Sequence, residues 1–361
     1  MKRLVPSSVC AALLAASCGA EVDTFDRNAM LKDVGEDLIV PSYTALVDEA
    51  KVLESAAADF CSAPSVPALT TVLEAWAATK EAQERTEGWR FGPYRTGSIG
   101  ARIDRWPTKP VDIERILDGD TALTPEFIAS TGANKKGLPA IEYFITSDAG
   151  PEVVVSTFTG GAAGARRCSY LSSAATDVRV GSEAVLAAWT GGYLAEFSRA
   201  GEDSTQFASG QEAVDLLVNG MIGELEVIVK TQLGKPLGDA SGGTPDRELL
   251  ESWRTGRSAD DVLANVESVR AAYIGAGDGS VGLSAFVTDR DPDLDARARR
   301  ALDDAVAATK AMPAPLRDSV VQAPQGVRAA SDAIDAAVRV LKVDVAARLG
   351  VLLTFNDADG D

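Results

Sequence analysis

A single carboxylate within an apolar run is the first candidate for chemistry. Glu142 lies in the run from Gly137 to Ile145. Pro139 suits the first turn of a helix, where its missing N–H has no helical partner. Glu142 then faces either solvent or the interior, where it needs a cation or a hydrogen-bond donor. The residues alone favour solvent, because lone helical glutamates are usually exposed.

Three other segments, residues 87–93, 101–107 and 251–258, place arginine beside aromatic or acidic residues. Such arginines can stack on rings or hold a carboxylate through two hydrogen bonds. Loops packed by Trp and Pro explain the same residues, and both interpretations stand. In the third segment, Ser258 is predicted to cap the next helix. The candidate binding residues in these segments are Arg90, Arg105, Trp106, Ser252 and Arg254.

Composition excludes several classes of protein. The chain has 361 residues, a formal net charge of -18 and no histidine. Without histidine, Ser-His-Asp catalysis and His-ligated zinc, copper or haem sites are excluded. The acidic balance argues against a nucleic-acid partner, which requires Lys and Arg to neutralise phosphate. Abundant carboxylates suit oxygen-ligated metals such as Fe(III), Ca or Mg.

The elements that must position these residues are predicted to be helices. Apolar residues repeat at spacings of three and four in stretches that begin at Val66, Leu217 and Val327. Ser65 is a plausible N-cap for the first stretch. The pattern predicts an all-α fold of two packed helical-bundle halves, residues 31–180 and 181–355.

Shorter signals complete the predicted organisation. Thr124-Pro125-Glu126 and Thr244-Pro245-Asp246 each have the pattern of a helix start. Residues 153–155 are three valines, which indicate a short strand or a loop. Residues 356–361 are predicted to be an acidic tail, because the run is a truncated calcium loop at best.

The N-terminus is typical of a bacterial lipoprotein. Lys2 and Arg3 precede an apolar stretch that is too short to span a bilayer, and small residues precede Cys18. Residues 1–17 are predicted to be a signal peptide and residues 18–30 a tether, with lipid on Cys18. The alternative is an ordinary cleaved signal. Lipidation predicts anchoring in the cell envelope, on the outer membrane and facing the periplasm.

Two cysteines remain after processing, Cys61 and Cys168. An even pair in an oxidising compartment predicts a disulfide that ties two distant helices. The alternative is two buried free thiols.

Taken in order, these segments resemble the imelysin family, classed as peptidase M75. The resemblance implies an all-α fold of two four-helix-bundle-like halves, usually envelope-anchored and linked to iron acquisition. It also implies a site around the motif at the junction of the halves. The matching segments cover most of residues 35–280 and are the helix with Trp76, Arg90–Pro93, Arg102–Pro107, Gly137–Glu142, Arg167–Leu171, Glu251–Ser258 and Ala264–Asn265.

The motif departs from the family pattern at one position. The family has Gly-x-His-x-x-Glu, whereas this chain has Gly137 and Glu142 with Pro139 in the histidine position. Proline offers neither a donor N–H nor a lone pair for a metal. A His/Glu metallopeptidase centre therefore cannot be assembled, and the chain resembles a subgroup with Pro at this position.

The leading functional hypothesis is a non-catalytic, lipid-anchored envelope protein that binds a ligand or metal in iron uptake. Glu142 would be a ligand to iron or another oxygen-ligated metal, beside Gly137 and Pro139. The arginines would hold an anionic group such as a carboxylate-bearing iron chelate. Two alternatives are an M75-type metallopeptidase that uses Glu142 and a carboxylate-held metal, and a structural partner of an outer-membrane transporter.

Overall fold

The computed structural model describes residues 24–277 and 279–354. Within these ranges the chain forms helices and connecting turns without a strand, which confirms the all-α prediction. None of the helices described is both long and apolar enough to cross a membrane. The predicted signal peptide, the lipidation site Cys18 and the acidic tail 356–361 lie outside the described residues.

The first helical group is built around a long central helix, α9, which packs against α2, α4, α6, α7 and α8. Apolar side chains on α2, α3 and α9 form its interior, including Phe60, Trp76 and Tyr170. The helices of this group are α2 (Val40–Ser62), α3 (Val66–Glu84), α4 (Ile99–Ile103), α5 (Pro110–Leu117), α6 (Pro125–Ser130), α7 (Gly137–Ile145), α8 (Pro151–Phe158) and α9 (Gly161–Ala188).

The second group packs α12 and α16 against α14, and α11 against both α12 and α16. The N-terminal helix α1 (Arg27–Asp33) joins this group, because it contacts α10, α11 and α13. The other helices are α10 (Leu194–Ser198), α11 (Gly210–Val227), α12 (Ser258–Ile274), α13 (Leu283–Arg290), α14 (Pro292–Lys310), α15 (Leu316–Gln322), α16 (Pro324–Arg339) and α17 (Ala346–Leu349).

Short turns of other helical types join these elements. In the part of the chain that the structure describes, four π-helical turns continue or connect α-helices, and five 3₁₀ turns occupy the loops. The π-helical turns are Val34–Ile39, Trp189–Tyr193, Ile228–Gly234 and Val340–Val345. The 3₁₀ turns are Glu87–Trp89, Gly92–Tyr94, Thr96–Ser98, Ala133–Lys135 and Arg247–Leu249.

The two groups meet along α3, α11 and α12, and α9 leads from one group to the other. The predicted boundary at residues 180 and 181 falls inside α9. The chain changes direction at the π-helical turn that follows α9, where Gly192 has a φ of 149°. Residues with a side chain rarely adopt this backbone conformation, and glycine therefore suits this turn.

The predicted helix starts are confirmed in two places. Ser65 is the N-cap of α3, and its hydroxyl accepts a hydrogen bond from the N–H of Ala68 at 3.4 Å. Thr124 caps α6 in the same way through the N–H of Phe127 at 3.2 Å. Each hydroxyl satisfies one of the backbone donors that a helix leaves free at its N-terminus.

Other local predictions are corrected. Residues 153–155 lie in helix α8, because Pro151 opens a helix whose Val154 and Phe158 are buried one turn apart. Asp246 begins only a single 3₁₀ turn. Helix α1 begins within the predicted tether 18–30, since Met30 is buried in the core.

The two cysteines lie side by side on α2 and α9. In the structure both are free thiols, and the Sγ of Cys168 lies 3.8 Å from the carbonyl oxygen of Cys61. The predicted disulfide is therefore absent from the structure, although the two helices bring its residues together. It stays a prediction, which mass spectrometry of the unreduced protein can test.

Candidate functional site

The motif helix α7 begins where it crosses the end of α4. Gly137 has a φ of 75°, and a Cβ there would lie 2.4 Å from the carbonyl oxygen of Ile103. Only glycine permits this approach. Pro139 is the third residue of α7, in the first turn as predicted, and it is buried.

Glu142 is buried, with only 1% of its surface exposed. The prediction of a solvated flank is wrong, because α7 is covered by α3 and α9 on the one side and by the loop before α12 on the other. From that loop, the N–H and hydroxyl of Thr255 each donate to Oε1 of Glu142 at 2.9 Å. Burial raises the pKa of Glu142, although these hydrogen bonds and the charges of Lys80 and Arg254 act to lower it.

A lysine on α3 lies at the centre of the junction. The ammonium of Lys80 pairs with Glu84 and with Asp104, whose Oδ2 is 2.5 Å away. Lys80 is 2% exposed. Burial lowers its pKa, but the carboxylates of Asp104, Glu251, Glu84 and Asp261 together raise the pKa of Lys80 well above its ordinary value.

The predicted site residue Arg90 is the second cation of the junction. Its guanidinium contacts Oε2 of Glu87 at 2.5 Å and Oε2 of Glu224, on α11, at 2.7 Å. Gln83 donates to Oε1 of Glu87 at 3.0 Å. Arg90 therefore joins the two helical groups through carboxylates of the protein itself.

The loop before α12 brings a third set of polar residues. The amide of Gln232 donates to Glu251 at 3.3 Å. Ser252 is buried with a φ of 49°, a left-handed conformation that costs a non-glycine residue on the order of 1 kcal/mol. Its hydroxyl lies beside the carboxylate of Asp261 and opposes the effect of burial on the pKa of that group.

These residues form one unit, which we name the polar cluster. It contains more carboxylates than cations, and burial raises the pKa of Glu84 and Glu251, that of Glu87 to about 8 and that of Asp261 to about 7. Its charged members are the carboxylates Glu84, Glu87, Asp104, Glu224, Glu251 and Asp261 and the cations Lys80 and Arg90.

Several buried oxygens of the polar cluster accept no hydrogen bond from any residue that the structure describes. They are Gln83 Oε1, Glu84 Oε2, Asp104 Oδ1, Glu224 Oε1, Ser252 Oγ, Asp261 Oδ2 and Asn265 Oδ1. Amide oxygens and ionised carboxylate oxygens are acceptors, and buried acceptors without donors are unfavourable. A bound cation would replace the protons that Glu84 and Asp261 keep when their pKa is raised. The arrangement therefore suits a ligand that brings positive charge or hydrogen-bond donors.

A metal ion held directly by side chains is a poorer fit. Across residues 24–277 and 279–354, no three Asp, Glu or Cys side chains are close enough together to hold one. The Lys80 ammonium and the Arg90 guanidinium lie between pairs of carboxylates and keep them apart. The metal role predicted for Glu142 thus has no preformed geometry to support it.

A narrow cleft beside Glu142 reaches the polar cluster. It has a volume of about 10 Å³, room for about one water molecule, and its walls include Trp76, Lys80, Trp106 and Glu251. The indole N–H of Trp106 donates to the carbonyl of Leu249 at 3.2 Å.

The structure brings most of the predicted site residues to this junction. Gly137, Pro139, Glu142, Ser252 and Trp106 surround the cleft or shape its walls, and Arg254 acts on Glu142 from the loop. Arg105 is exposed, and its neighbour Asp104 turns inward instead. Ser258 is the first residue of α12 and donates to the carbonyl of Glu251, so it is not the predicted cap.

Sequence reasoning missed Lys80 and Glu84, although a signal was present. On α3 the buried stripe of Leu69, Val72 and Trp76 continues at the same spacing into Lys80, Gln83 and Glu84. Polar residues at positions where the spacing of an apolar stripe continues indicate a buried polar site.

Comparisons with known proteins agree with this architecture. The chain is 22% identical to iron-regulated protein A of Synechococcus elongatus over 269 residues, which are 73% of this chain and 68% of that protein. It is similar to a solved structure assigned as an iron-regulated protein A precursor of Parabacteroides distasonis, with a TM-score of 0.80 and 19% identity. That alignment covers 92% of this chain and 97% of the other.

An imelysin-like protein of Psychrobacter arcticum also has this fold, with a TM-score of 0.72, 18% identity and coverage of 91% of this chain and 97% of the other. At such identities these structures establish the fold alone. The sequence profile of the imelysin family, peptidase M75, matches residues 39–343. Since that match spans most of the chain, the protein belongs to the imelysin family.

Proposed function

We propose that this protein is a non-catalytic, lipid-anchored envelope protein that binds a positively charged ligand at the polar cluster in a process linked to iron uptake. The observation that carries the proposal is the surplus of carboxylates, with unpartnered buried oxygens, at the junction of the two helical groups. The names of two relatives, both iron-regulated protein A, support the link to iron.

A non-catalytic role is supported by the motif helix. Pro139 occupies the position where the family pattern has histidine, and it is buried in the first turn of α7. Its ring nitrogen can neither donate a proton nor hold a metal. Glu142 is engaged by Thr255 through two hydrogen bonds, which hold it as an acceptor rather than as a free base.

Envelope anchoring is supported by the N-terminal sequence, where small residues precede Cys18. Metabolic labelling with a radioactive fatty acid tests it. Wild-type protein should incorporate label and Cys18→Ala should not. Equal labelling of the two would contradict lipidation at Cys18.

Metal ions are the smallest positively charged ligands and are therefore the first to test at the polar cluster, although its carboxylates would have to rearrange around the ion because no three of them form a preformed site. The chain from Gly19 onward is titrated with Fe(II) without oxygen, and with Ca(II), by calorimetry, followed by elemental analysis. We expect binding that weakens at least tenfold in the double variant Asp104→Asn/Glu251→Gln, because it removes two carboxylates of the polar cluster, one of which has an oxygen, Asp104 Oδ1, without a donor among the described residues.

The matched control is Asp48→Asn, whose carboxylate is 66% exposed on α2 and should leave binding unchanged. Binding of neither ion by the wild-type protein, or equal binding by the double variant, would contradict a cation site at the polar cluster.

A further inference from the structure

A second and larger cavity lies next to the polar cluster and shares the wall formed by Trp76. It runs between α3, the end of α7, the start of α8 and the loop before α12. Its volume is about 530 Å³, within the range of about 300–1,000 Å³ that small-molecule sites occupy. The cleft beside Glu142 is far too small for such a ligand.

The walls of this cavity are mainly apolar, with Leu69, Leu73, Ile145 and Val154 among them. The hydroxyl of Thr146, which also lines it, already donates to the carbonyl of Glu142 at 2.6 Å. These walls offer little to a polar ligand and suit an aliphatic or aromatic body.

One end of the cavity carries two arginines, Arg254 and Arg257. The guanidinium of Arg254 lies 4.5 Å from the ring centroid of Trp253 and 5.5 Å from that of Tyr143. Stacking on two rings fixes its plane, and its Nε is buried without an acceptor among the described residues. A guanidinium held in this way is prepared for a carboxylate.

The charge balance of the cavity favours an anion. Arg257 pairs with Asp260 at 3.4 Å, and because Asp260 is more than half exposed, the pair is weak. Glu74 is the acidic residue among the lining side chains, and it is exposed. Among the lining side chains two arginines thus outweigh one glutamate, and Glu142, on which the charge of Arg254 also acts, does not line the cavity. The whole chain, in contrast, has a net charge of -18.

From these observations we propose that this cavity binds a small amphiphilic carboxylate, with the anionic group on Arg254 and the apolar body along α3. The site is distinct from the polar cluster, which takes positive charge. Because the chain as a whole repels anions, the apolar body is needed to hold the ligand.

Calorimetry of the chain from Gly19 onward with decanoate, below its micelle concentration, tests the proposal. Decanol and decylammonium serve as neutral and cationic probes of equal chain length. We expect decanoate to bind at least tenfold more tightly than either. Equal binding of all three, or no binding of decanoate, would overturn the proposal.

Two variants locate the site. Arg254→Gln should weaken decanoate binding about tenfold or more, since it removes a charge-assisted hydrogen bond. Ala77→Phe, which adds bulk to the lining, should weaken it without changing any charge. Unchanged binding in both would overturn the proposal.

Arg300→Gln is the control, because Arg300 is exposed on α14, a helix that contributes no residue to the lining of this cavity. It should bind decanoate like the wild type. Metal titration is a separate readout, so failure of the cation site and failure of this one can be told apart.

Discussion

The polar cluster and a separate buried carboxylate, Asp295 on α14, show two ways in which the protein buries charge. Asp295 accepts from the hydroxyls of Ser284 at 2.5 Å and Tyr273 at 3.0 Å, and from Arg299 at 2.8 Å. Burial raises its pKa, but these hydrogen bonds hold the pKa of Asp295 below its ordinary value. Both carboxylate oxygens are satisfied.

In the polar cluster burial outweighs hydrogen bonding in its effect on the carboxyl pKa values. Burial and neighbouring carboxylates raise the pKa of Glu87 to about 8, and one oxygen of Glu224 has no donor among the described residues. A structural carboxylate is satisfied by its own donors, whereas a binding site leaves acceptors for something else. The difference separates a network that stabilises the fold from one prepared for a ligand.

Removal of the central cation should have the largest effect. Lys80→Met leaves Glu84 and Asp104 buried without their partner, and we expect the free energy of unfolding to fall by about 3–5 kcal/mol. Arg299→Met should cost only about 1–2 kcal/mol, because Arg299 is 46% exposed and Asp295 keeps two hydroxyl donors. Urea unfolding of both variants measures the difference, and equal losses would break the comparison.

Replacing one carboxylate in each region by its neutral amide should have the next largest effect on the free energy of unfolding. Asp295→Asn replaces an acceptor of three hydrogen bonds and should lower the free energy of unfolding by about 1–3 kcal/mol. Asp261→Asn should be neutral or stabilising at pH 8, because burial disfavours the ionised form there. Urea unfolding at pH 8 tests the signs, and a larger loss for Asp261→Asn than for Asp295→Asn would contradict the comparison.

The dependence of stability on pH should have opposite signs in the two regions. Glu87, with a pKa of about 8, keeps its proton in the folded protein from about pH 4.5 to 8 while the unfolded chain releases it. The free energy of unfolding should therefore fall as pH rises through this window, on the order of 1 kcal/mol per pH unit. Asp295 contributes stability above its unfolded pKa and loses it as pH falls through its folded pKa.

Urea unfolding at several pH values, with Glu87→Gln beside the wild type, measures the slope. The variant should show a shallower fall between pH 5 and 8, since it removes that titration. A wild-type slope that Glu87→Gln leaves unchanged would assign the titration to other groups.

The smallest expected effect concerns Glu142. Thr255→Val removes one of its two hydrogen bonds and keeps the backbone donor. The pKa of Glu142 should then rise further above its ordinary value, because the ionised form loses a donor. A carbon-13 titration that compares the two proteins measures this change, and the free energy of unfolding should fall by only about 1 kcal/mol. An unchanged titration would mean that the hydroxyl contributes nothing.

Local sequence was sufficient where neighbours in the chain decide the structure. Ser65 and Thr124 cap helices because their hydroxyls reach N–H groups three residues away. The stripe of Leu217, Met221, Leu225 and Ile228 is buried as its spacing predicted. The three valines from residue 153 lie in a helix instead of the predicted strand or loop, because packing of α8 against α9 overrides the preference of β-branched residues for strands.

The sequence by itself determined the helical class, the absence of histidine and the placement of Pro139 three residues before Glu142, because these depend on residue types and short spacings. Only the tertiary structure decided that Glu142 is buried, that Lys80 pairs with Asp104, and that Arg90 serves the protein's own carboxylates. These contacts join residues from α3, α11 and the loop before α12. No local sequence pattern predicts contacts between residues so far apart in the chain. Burial between packed helices changes the pKa values of these charged groups, and this makes them a candidate site.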